Sequence, residues 1–124
     1  MIDFSNASYM KLTNVPISKV EGAVNDLIIE NEEIISAYKG MRDFVVFTTK
    51  RAIAVNVQGI TGKKVDYTSL PYSKIVAYSV ETAGTFDLDA ELDLWFSGLG
   101  KVRFEFRGSV DIKQINRTIS EYVL

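Results

Sequence analysis

The sequence contains no cysteine and no histidine. The first absence excludes disulfides and a thiol nucleophile, and the second excludes a Ser-His-Asp triad. Together they exclude a zinc site built from His and Cys ligands. The polar chemistry that remains belongs to carboxylates, hydroxyls, lysines and arginines, and no nucleophile–base pair is evident among them.

An excess of charge and long apolar runs are also missing. The chain has 14 Lys and Arg residues against 16 Asp and Glu residues, for a net charge of −2. Nucleic-acid binders typically carry a basic excess, so no nucleic acid is expected as a partner. The longest apolar runs have four residues, as in Phe44–Phe47, whereas a membrane-spanning helix needs about 20. The first residues show no signal peptide, and the expected location is cytoplasmic.

The overall composition is typical of an ordinary folded domain. The 124 residues are 47% hydrophobic and 24% charged, which suits one domain over 1–124. From Pro16 apolar residues recur at helical spacing, which predicts a helix that ends at Glu30–Glu33. The residues of this stripe are Ile17, Val20, Val24, Leu27 and Ile28.

The period then changes to two, which predicts β-strands separated by short turns. Seven strands are predicted, at 33–39, 42–48, 51–57, 64–70, 73–81, 91–96 and 101–107.

The last two strands form a predicted hairpin around Gly98–Gly100. Apolar residues must face the same side, so the numbers of paired residues add up to an even value. A sum of about 198 places Leu94 opposite Phe104 and Trp95 opposite Arg103, with a cation–π contact on the outer face.

A second amphipathic helix is predicted over 109–123, with Ser109 or Asp111 as its N-cap. Its single apolar face must pack against other apolar residues, and the open end of a curled sheet is the obvious place for it. The apolar positions are Ile112, Ile115, Ile119 and Tyr122 or Val123.

Helix, seven strands and helix is the order of the pleckstrin-homology (PH) superfold. The predicted fold is therefore mainly β with flanking helices (β+α): a PH-like barrel of seven antiparallel strands in two near-orthogonal sheets, capped by a C-terminal helix. The N-terminal helical extension covers 1–31, the barrel 33–107 and the capping helix 109–123.

Five blocks of the sequence are distinctive: Arg42–Arg51, Gln58–Val65, Leu70–Ile75, Glu81–Gly84 and Phe86–Leu92. With these blocks the sequence resembles a family of bacterial PH-domain proteins long described as of unknown function. The resemblance covers about residues 16–122 and implies a PH-like barrel, but no established activity. It also implies a small cytoplasmic protein that self-associates, plausibly as a ring.

A series of acidic residues alternates along the sixth strand and the loop before it. Such a series offers three interpretations: a site for a hard cation, an acid–base pair acting on a glycoside, or a solvated face. A flat strand does not converge its side chains, which favours the solvated face, with repulsion relieved by Arg103, Arg107 or a neighbouring subunit. The resemblance implies a structural or interface role for Asp89 and Glu91. The series consists of Asp87, Asp89, Glu91 and Asp93.

Two lysine-bearing loops are candidate anion sites. The loop Gly59–Lys64 is not a Walker A loop, because Lys64 stands where Ser or Thr is needed and a strand follows. Two interpretations remain: an anion site formed by the loop backbone with Lys63, Lys64 and Lys74, or a glycine-rich hairpin whose lysines serve solubility. The second is favoured. Eukaryotic PH domains bind phosphoinositides at the loop between their first two strands, but here that loop carries only Lys39 and Arg42.

Exposed aromatic and apolar residues suggest an interface. Trp95 falls on the polar face of its strand, and Trp95, Arg103, Asp89 and Glu91 are the predicted interface residues. Before the barrel, a further apolar set either forms an interface or folds back on the barrel. This set is Phe4, Tyr9, Met10 and Leu12.

The leading hypothesis is a non-enzymatic binding or assembly module that forms a homo-oligomer and contacts other proteins. No catalytic residue, cofactor or metal is expected. The alternative is a peripheral binder of an anionic ligand or membrane headgroup through Gly62, Lys63 and Lys64. A third, weaker hypothesis is a carboxylate enzyme that uses two residues of the acidic series.

Overall fold

The structure is a computed structural model that describes residues 1–4, 11–86, 88–108 and 110–124. Eight β-strands form most of it. They are β1 (Thr13–Val15), β2 (Ile34–Lys39), β3 (Phe44–Thr48), β4 (Arg51–Gln58), β5 (Lys64–Pro71), β6 (Ile75–Glu81), β7 (Ala90–Phe96) and β8 (Gly100–Phe106).

The strands divide into two antiparallel sheets. One sheet has the order β1-β2-β3-β4-β5, and the other has the order β6-β7-β8. The 3₁₀ turn Tyr72–Lys74 connects them. All seven predicted strands are present with shifts at their ends, and the predicted fold class is confirmed. β1 is additional: its three residues are too short for a period to show.

The predicted N-terminal helix forms as three short pieces instead of one continuous helix. A 3₁₀ turn at Ile17–Lys19 precedes α1 (Glu21–Val24), and a second 3₁₀ turn follows at Asn25–Leu27. The interruptions lie at Val20 (φ −126°, ψ −15°) and Val24 (φ −118°, ψ −10°), whose φ values lie far from that of an α-helix. Both valines are buried, so packing on the sheet determines the local geometry.

Two apolar clusters lie on opposite faces of the five-stranded sheet. The larger lies between the two sheets and includes Phe47, Phe104 and Phe106. The smaller lies under the N-terminal segment, where Val20 and Val24 pack against the sheet. Every residue of β3 is buried, because both of its faces are covered. This explains why β3 is apolar from Phe44 to Phe47, whereas apolar and polar residues alternate along β7 and β8.

The register of the β7–β8 hairpin differs from the prediction. Leu94 is opposite Val102, and Arg103 is opposite Asp93 instead of Trp95. The predicted cation–π pair is therefore wrong, although the predicted inner and outer faces are right. A three-residue loop makes the difference: Phe96 pairs with Gly100, which has a φ of +93° and lies in a region that favours glycine.

The helix α2 (Ile112–Val123) closes one side of the barrel. Asp111 is its N-cap, with its carboxylate accepting a hydrogen bond from the Gln114 amide at 3.1 Å. The other predicted cap, Ser109, lies outside the described residues. Ile112, Ile115 and Ile119 are buried in the main core, and burial of each contributes about 2 kcal/mol.

None of the helices that the structure describes is long and apolar enough to cross a membrane.

The segment before β1 joins the two sheets. Leu12 forms a parallel bridge with Phe106: the Leu12 amide donates to the Glu105 carbonyl at 3.0 Å, and the Arg107 amide donates to the Leu12 carbonyl at 2.8 Å. Leu12 is buried and Phe4 packs against the core, so these two residues fold back on the barrel. Tyr9 and Met10 lie outside the described residues.

Candidate interaction face and basic cavity

The outer face of the three-stranded sheet carries most of the residues predicted for an interface. Cross-strand neighbours form three rows, which run from an aromatic and basic row to an acidic one. The rows are Ala77, Trp95 and Lys101; Ser79, Asp93 and Arg103; and Glu81, Glu91 and Glu105.

Arg103 connects the acidic side chains of β7. Its Nε lies 2.8 Å from Oδ1 of Asp93 and its Nη2 lies 3.0 Å from Oδ2. Its Nη1 lies 3.2 Å from Oε2 of Glu91. The hydrogen bonds from Arg103 hold the pKa of the Asp93 carboxyl below its usual range, against the opposing effect of burial. The repulsion between Glu91 and Asp93 is therefore relieved within the sheet by Arg103.

Trp95 lies in the row beside this ion-paired group. Its side chain is 50% exposed and borders a shallow groove of about 260 Å³. Ala77 and Lys101 are its cross-strand neighbours. Tryptophan on a rigid sheet is a common feature of protein interfaces, because it buries a large area at a small entropic cost.

The acidic series gives no support to a metal or catalytic pair. Asp87 lies outside the described residues, Asp89 precedes β7, and Glu91 and Asp93 are engaged by Arg103. Across the part of the chain that the structure describes, no group of three His, Cys, Asp or Glu side chains is arranged to hold a metal ion.

The three lysines predicted to bind an anion are not brought together. Lys64 begins β5 and Lys63 directly precedes it, whereas Lys74 follows the end of β5 in the connecting 3₁₀ turn. The eight residues of β5 separate them by roughly 25 Å. A small anion therefore cannot contact all three.

The structure assembles a different basic group around the β2–β3 loop. A cavity there is lined by Lys39 and Arg42, which the sequence already placed on this loop, and also by Lys11 and Arg107. Lys11 and Arg107 reach this loop because they adjoin Leu12 and Phe106, the two residues that form the parallel bridge. No local sequence pattern indicates this proximity, because Lys11 and Arg107 lie at opposite ends of the strand series.

Comparison with known proteins agrees with the fold. A family model described as bacterial PH domain matches residues 3–123. The chain is 44% identical over 103 residues to the uncharacterized protein YjqA of Bacillus subtilis (strain 168), covering 82% of each chain. Since that relative is itself uncharacterized, the similarity brings no activity with it.

Two solved structures are also similar over nearly the full chain. A DUF1696 family protein with a pleckstrin-homology domain from Shewanella loihica PV-4 has a TM-score of 0.79 at 40% identity, covering 93% of this chain and 99% of that one. A pleckstrin homology domain from Shewanella amazonensis SB2B has a TM-score of 0.65 at 46% identity, covering 96% and 93%. The resemblance inferred from the sequence blocks is thereby confirmed.

Proposed function

The chain belongs to the bacterial PH domain family, and from this premise we propose that it is a non-enzymatic assembly module of the cytoplasm. In this proposal copies of the chain associate through the outer face of the β6–β7–β8 sheet, and the resulting homo-oligomer mediates contacts with other proteins. A head-to-tail contact that closes on itself gives a ring.

The observation that carries the proposal is the half-exposed Trp95 on a rigid sheet face. Arg103 holds Asp93 with two hydrogen bonds, so the neighbouring row is ordered before any partner arrives. An ordered surface loses little conformational entropy on association. Trp95 supplies the apolar area and the ion-paired rows supply a polar rim, which is the usual arrangement of an interface.

The exposed edge of β6 adds a second reason. β7 is the only strand paired with β6 in the described parts of the chain, and a bulge interrupts that pairing between Ile75 and Ala77. Val76 lies at the bulge and is 65% exposed. An edge strand with unpaired backbone groups favours pairing with another chain, and a second copy supplies a matching sheet.

Measurement of the native mass tests this proposal. We expect wild-type protein at tens of micromolar to sediment as a multiple of 13.9 kDa, and we expect Trp95→Ala to shift the mass toward the monomer. Tyr67→Ala is the matched control, because Tyr67 is an exposed aromatic residue on β5 in the other sheet. A monomeric wild type overturns self-association, and an unchanged Trp95→Ala oligomer overturns this choice of face.

A further inference from the structure

A second, smaller cavity lies between the capping helix α2 and the strands β2 and β3. It has a volume of about 180 Å³, and a cavity of about 150 Å³ is large enough to hold benzene. Its described lining comes from these three elements, so it is separate from the outer face that carries Trp95. The lining residues are Ile35, Ser36, Tyr38 and Phe47 from the sheet and Gln114, Ile115 and Thr118 from the helix.

A β-bulge in β2 shapes the sheet side of this helix cavity. Ile34 and Ser36 pair with consecutive residues of β3, so Ile35 is an extra residue between them. Regular alternation would place Ile34, Ser36 and Tyr38 on one face. Instead Ile34 packs against the smaller apolar cluster, whereas Tyr38 belongs to the larger one. The bulge therefore turns two consecutive side chains, Ile35 and Ser36, toward the cavity, and bulges commonly redirect side chains in this way at functional sites.

The helix side of the cavity carries a buried hydroxyl group without a partner. Thr118 is only 7% exposed, and among the described residues its side chain has no hydrogen-bond partner. A buried hydroxyl that makes no hydrogen bond is destabilising. Such a group in a native fold calls for an explanation, and a bound molecule that supplies the missing partner is one.

The other buried threonines have their hydrogen bonds supplied by the chain. Thr68 is 6% exposed, and its hydroxyl donates to Oδ1 of Asp66 at 2.7 Å and accepts from the Ile2 amide at 3.1 Å. The Thr48 hydroxyl donates to the Glu32 carboxylate at 2.6 Å. Thr118 is therefore the exception among the buried threonines that the structure describes, and it is the one that lines a cavity.

The lining favours a ligand without charge. The lining residues given above include no Asp, Glu, Lys or Arg, and burial raises the pKa of the Tyr38 hydroxyl, so this group stays neutral at physiological pH. Arg117 is held at the exposed rim, where its Nη2 donates to Oε1 of Gln114 at 2.6 Å. A charged ligand would lose its hydration in the cavity without gaining a counter-charge.

We propose that this helix cavity binds a small uncharged molecule with an aromatic body and a single hydroxyl or carbonyl oxygen. The oxygen accepts a hydrogen bond from the Thr118 hydroxyl, whose proton rotates to suit its partner. The body packs beside Tyr38 and Phe47, whose rings already meet edge to face with centroids 5.8 Å apart, an arrangement that a further ring extends. This ligand site does not depend on the proposed assembly.

Fluorine NMR with para-fluorophenol as the probe measures this binding. We expect saturable binding to the wild-type protein. Fluorobenzene has the same body without the oxygen, and it should bind at least about fivefold more weakly because the hydrogen bond is missing. The charged probe para-fluorobenzoate should bind at least about tenfold more weakly than para-fluorophenol, because its carboxylate must be desolvated.

Thr118→Val tests the hydroxyl while keeping the shape of the side chain. We expect it to weaken para-fluorophenol binding by about fivefold and to leave fluorobenzene binding within about twofold of wild type. Its melting temperature should be equal to or higher than that of wild type, because the removed hydroxyl makes no hydrogen bond within the described chain. Thr68→Val is the matched control: it should bind para-fluorophenol as wild type does but melt at a lower temperature, since it loses two hydrogen bonds.

Two further variants locate the probe. Ser36→Leu places a larger side chain in the lining, and we expect this variant to lose binding of both para-fluorophenol and fluorobenzene. Trp95→Ala should bind para-fluorophenol as wild type does, so failure of the assembly proposal and failure of this one are distinguishable.

Four results would overturn the proposal. The first is the absence of saturable para-fluorophenol binding by wild type, which would indicate a cavity that holds only water. The second is unchanged para-fluorophenol binding by Thr118→Val, or a fall in its melting temperature as large as that of Thr68→Val. The third is para-fluorobenzoate binding as tight as that of para-fluorophenol. The fourth is full binding of both neutral probes by a folded Ser36→Leu variant, which would place them elsewhere on the protein.

Discussion

Arg51 and Glu32 form a buried ion pair that attaches the N-terminal segment to β4. Nε of Arg51 lies 2.9 Å from Oε2 of Glu32, and Nη2 lies 3.0 Å from Oε1. Thr48 donates to the same carboxylate at 2.6 Å, and the Ile29 amide donates to it at 3.2 Å. Arg51 also donates to the Leu27 carbonyl at 2.6 Å. The Glu32 side chain is fully inaccessible to solvent, so this network secures the end of the helical segment.

Glu32→Gln is expected to destabilise the fold by about 3 kcal/mol, because it leaves a largely buried guanidinium without its counter-charge. Urea unfolding measures the loss. Glu33→Gln is the matched control, since Glu33 is exposed and contacts Thr49 through its backbone, donating from its amide at 3.1 Å and accepting at its carbonyl at 2.9 Å. Equal midpoints for the two variants would contradict the assignment.

The pH dependence of stability follows from the same pair. Burial raises the pKa of Glu32, but the hydrogen bonds from Arg51, Thr48 and Ile29 and the charge of Arg51 outweigh it, so the pKa is lowered. A lowered folded-state pKa contributes stability that is present above the unfolded value and is lost as the pH falls through the folded value. The difference between wild type and Glu32→Gln should therefore shrink as the pH falls below the ordinary glutamate pKa of 4.5 and through the lower folded-state pKa. A difference that grows on acidification would refute this prediction.

The β7–β8 register is testable by charge exchange. Asp93→Arg and Arg103→Asp each place like charges opposite one another, and each should cost about 0.5–1 kcal/mol because the pair is partly exposed. The double variant restores opposite charges and should recover most of that loss. A double-mutant cycle from thermal unfolding measures the coupling, and zero coupling would speak against the observed pairing.

Two glycines should respond in opposite directions to alanine. Gly62 has a φ of +68°, and an added Cβ would lie 3.3 Å from Cγ1 of Val57, so Gly62→Ala should cost about 1–2 kcal/mol. Gly22 is exposed in α1 and an added Cβ meets nothing within 4 Å. Gly22→Ala should therefore stabilise by about 0.5–1 kcal/mol. Calorimetric melting of both variants checks the signs, and a stabilised Gly62→Ala would show that the turn tolerates a side chain.

The sequence predicted the strands well where one face is polar, but it could not choose the register of the last hairpin. Because the side-chain period is two, a shift by two residues leaves Leu94 and Phe104 on the inner face. In the structure Phe96 pairs with Gly100, so the three residues between them form the loop and set the register. Trp95 consequently pairs with Lys101, and Arg103 becomes the ion-pair partner of Asp93.

In the N-terminal segment the sequence predicted which residues are buried but not the local backbone structure. Its apolar spacing correctly predicted which residues face the protein, since Val20 and Val24 are buried. The spacing could not show that this stretch divides into short helical pieces, because packing against β3 and β4 sets those angles. β1 was missed because a three-residue strand is formed by pairing with β2 and has no periodicity of its own.

The sequence alone determined the absence of cysteine and histidine chemistry, the seven barrel strands, the capping helix and the family resemblance, because these depend on composition, local periodicity and ordered blocks. Tertiary structure decided which charged residues meet. It separated Lys63 and Lys64 from Lys74 along β5, and it placed Lys11 and Arg107 beside the β2–β3 loop. The physical reason is that the contacts of an antiparallel barrel join residues distant in sequence, and only the register and closure of the sheets bring those residues together.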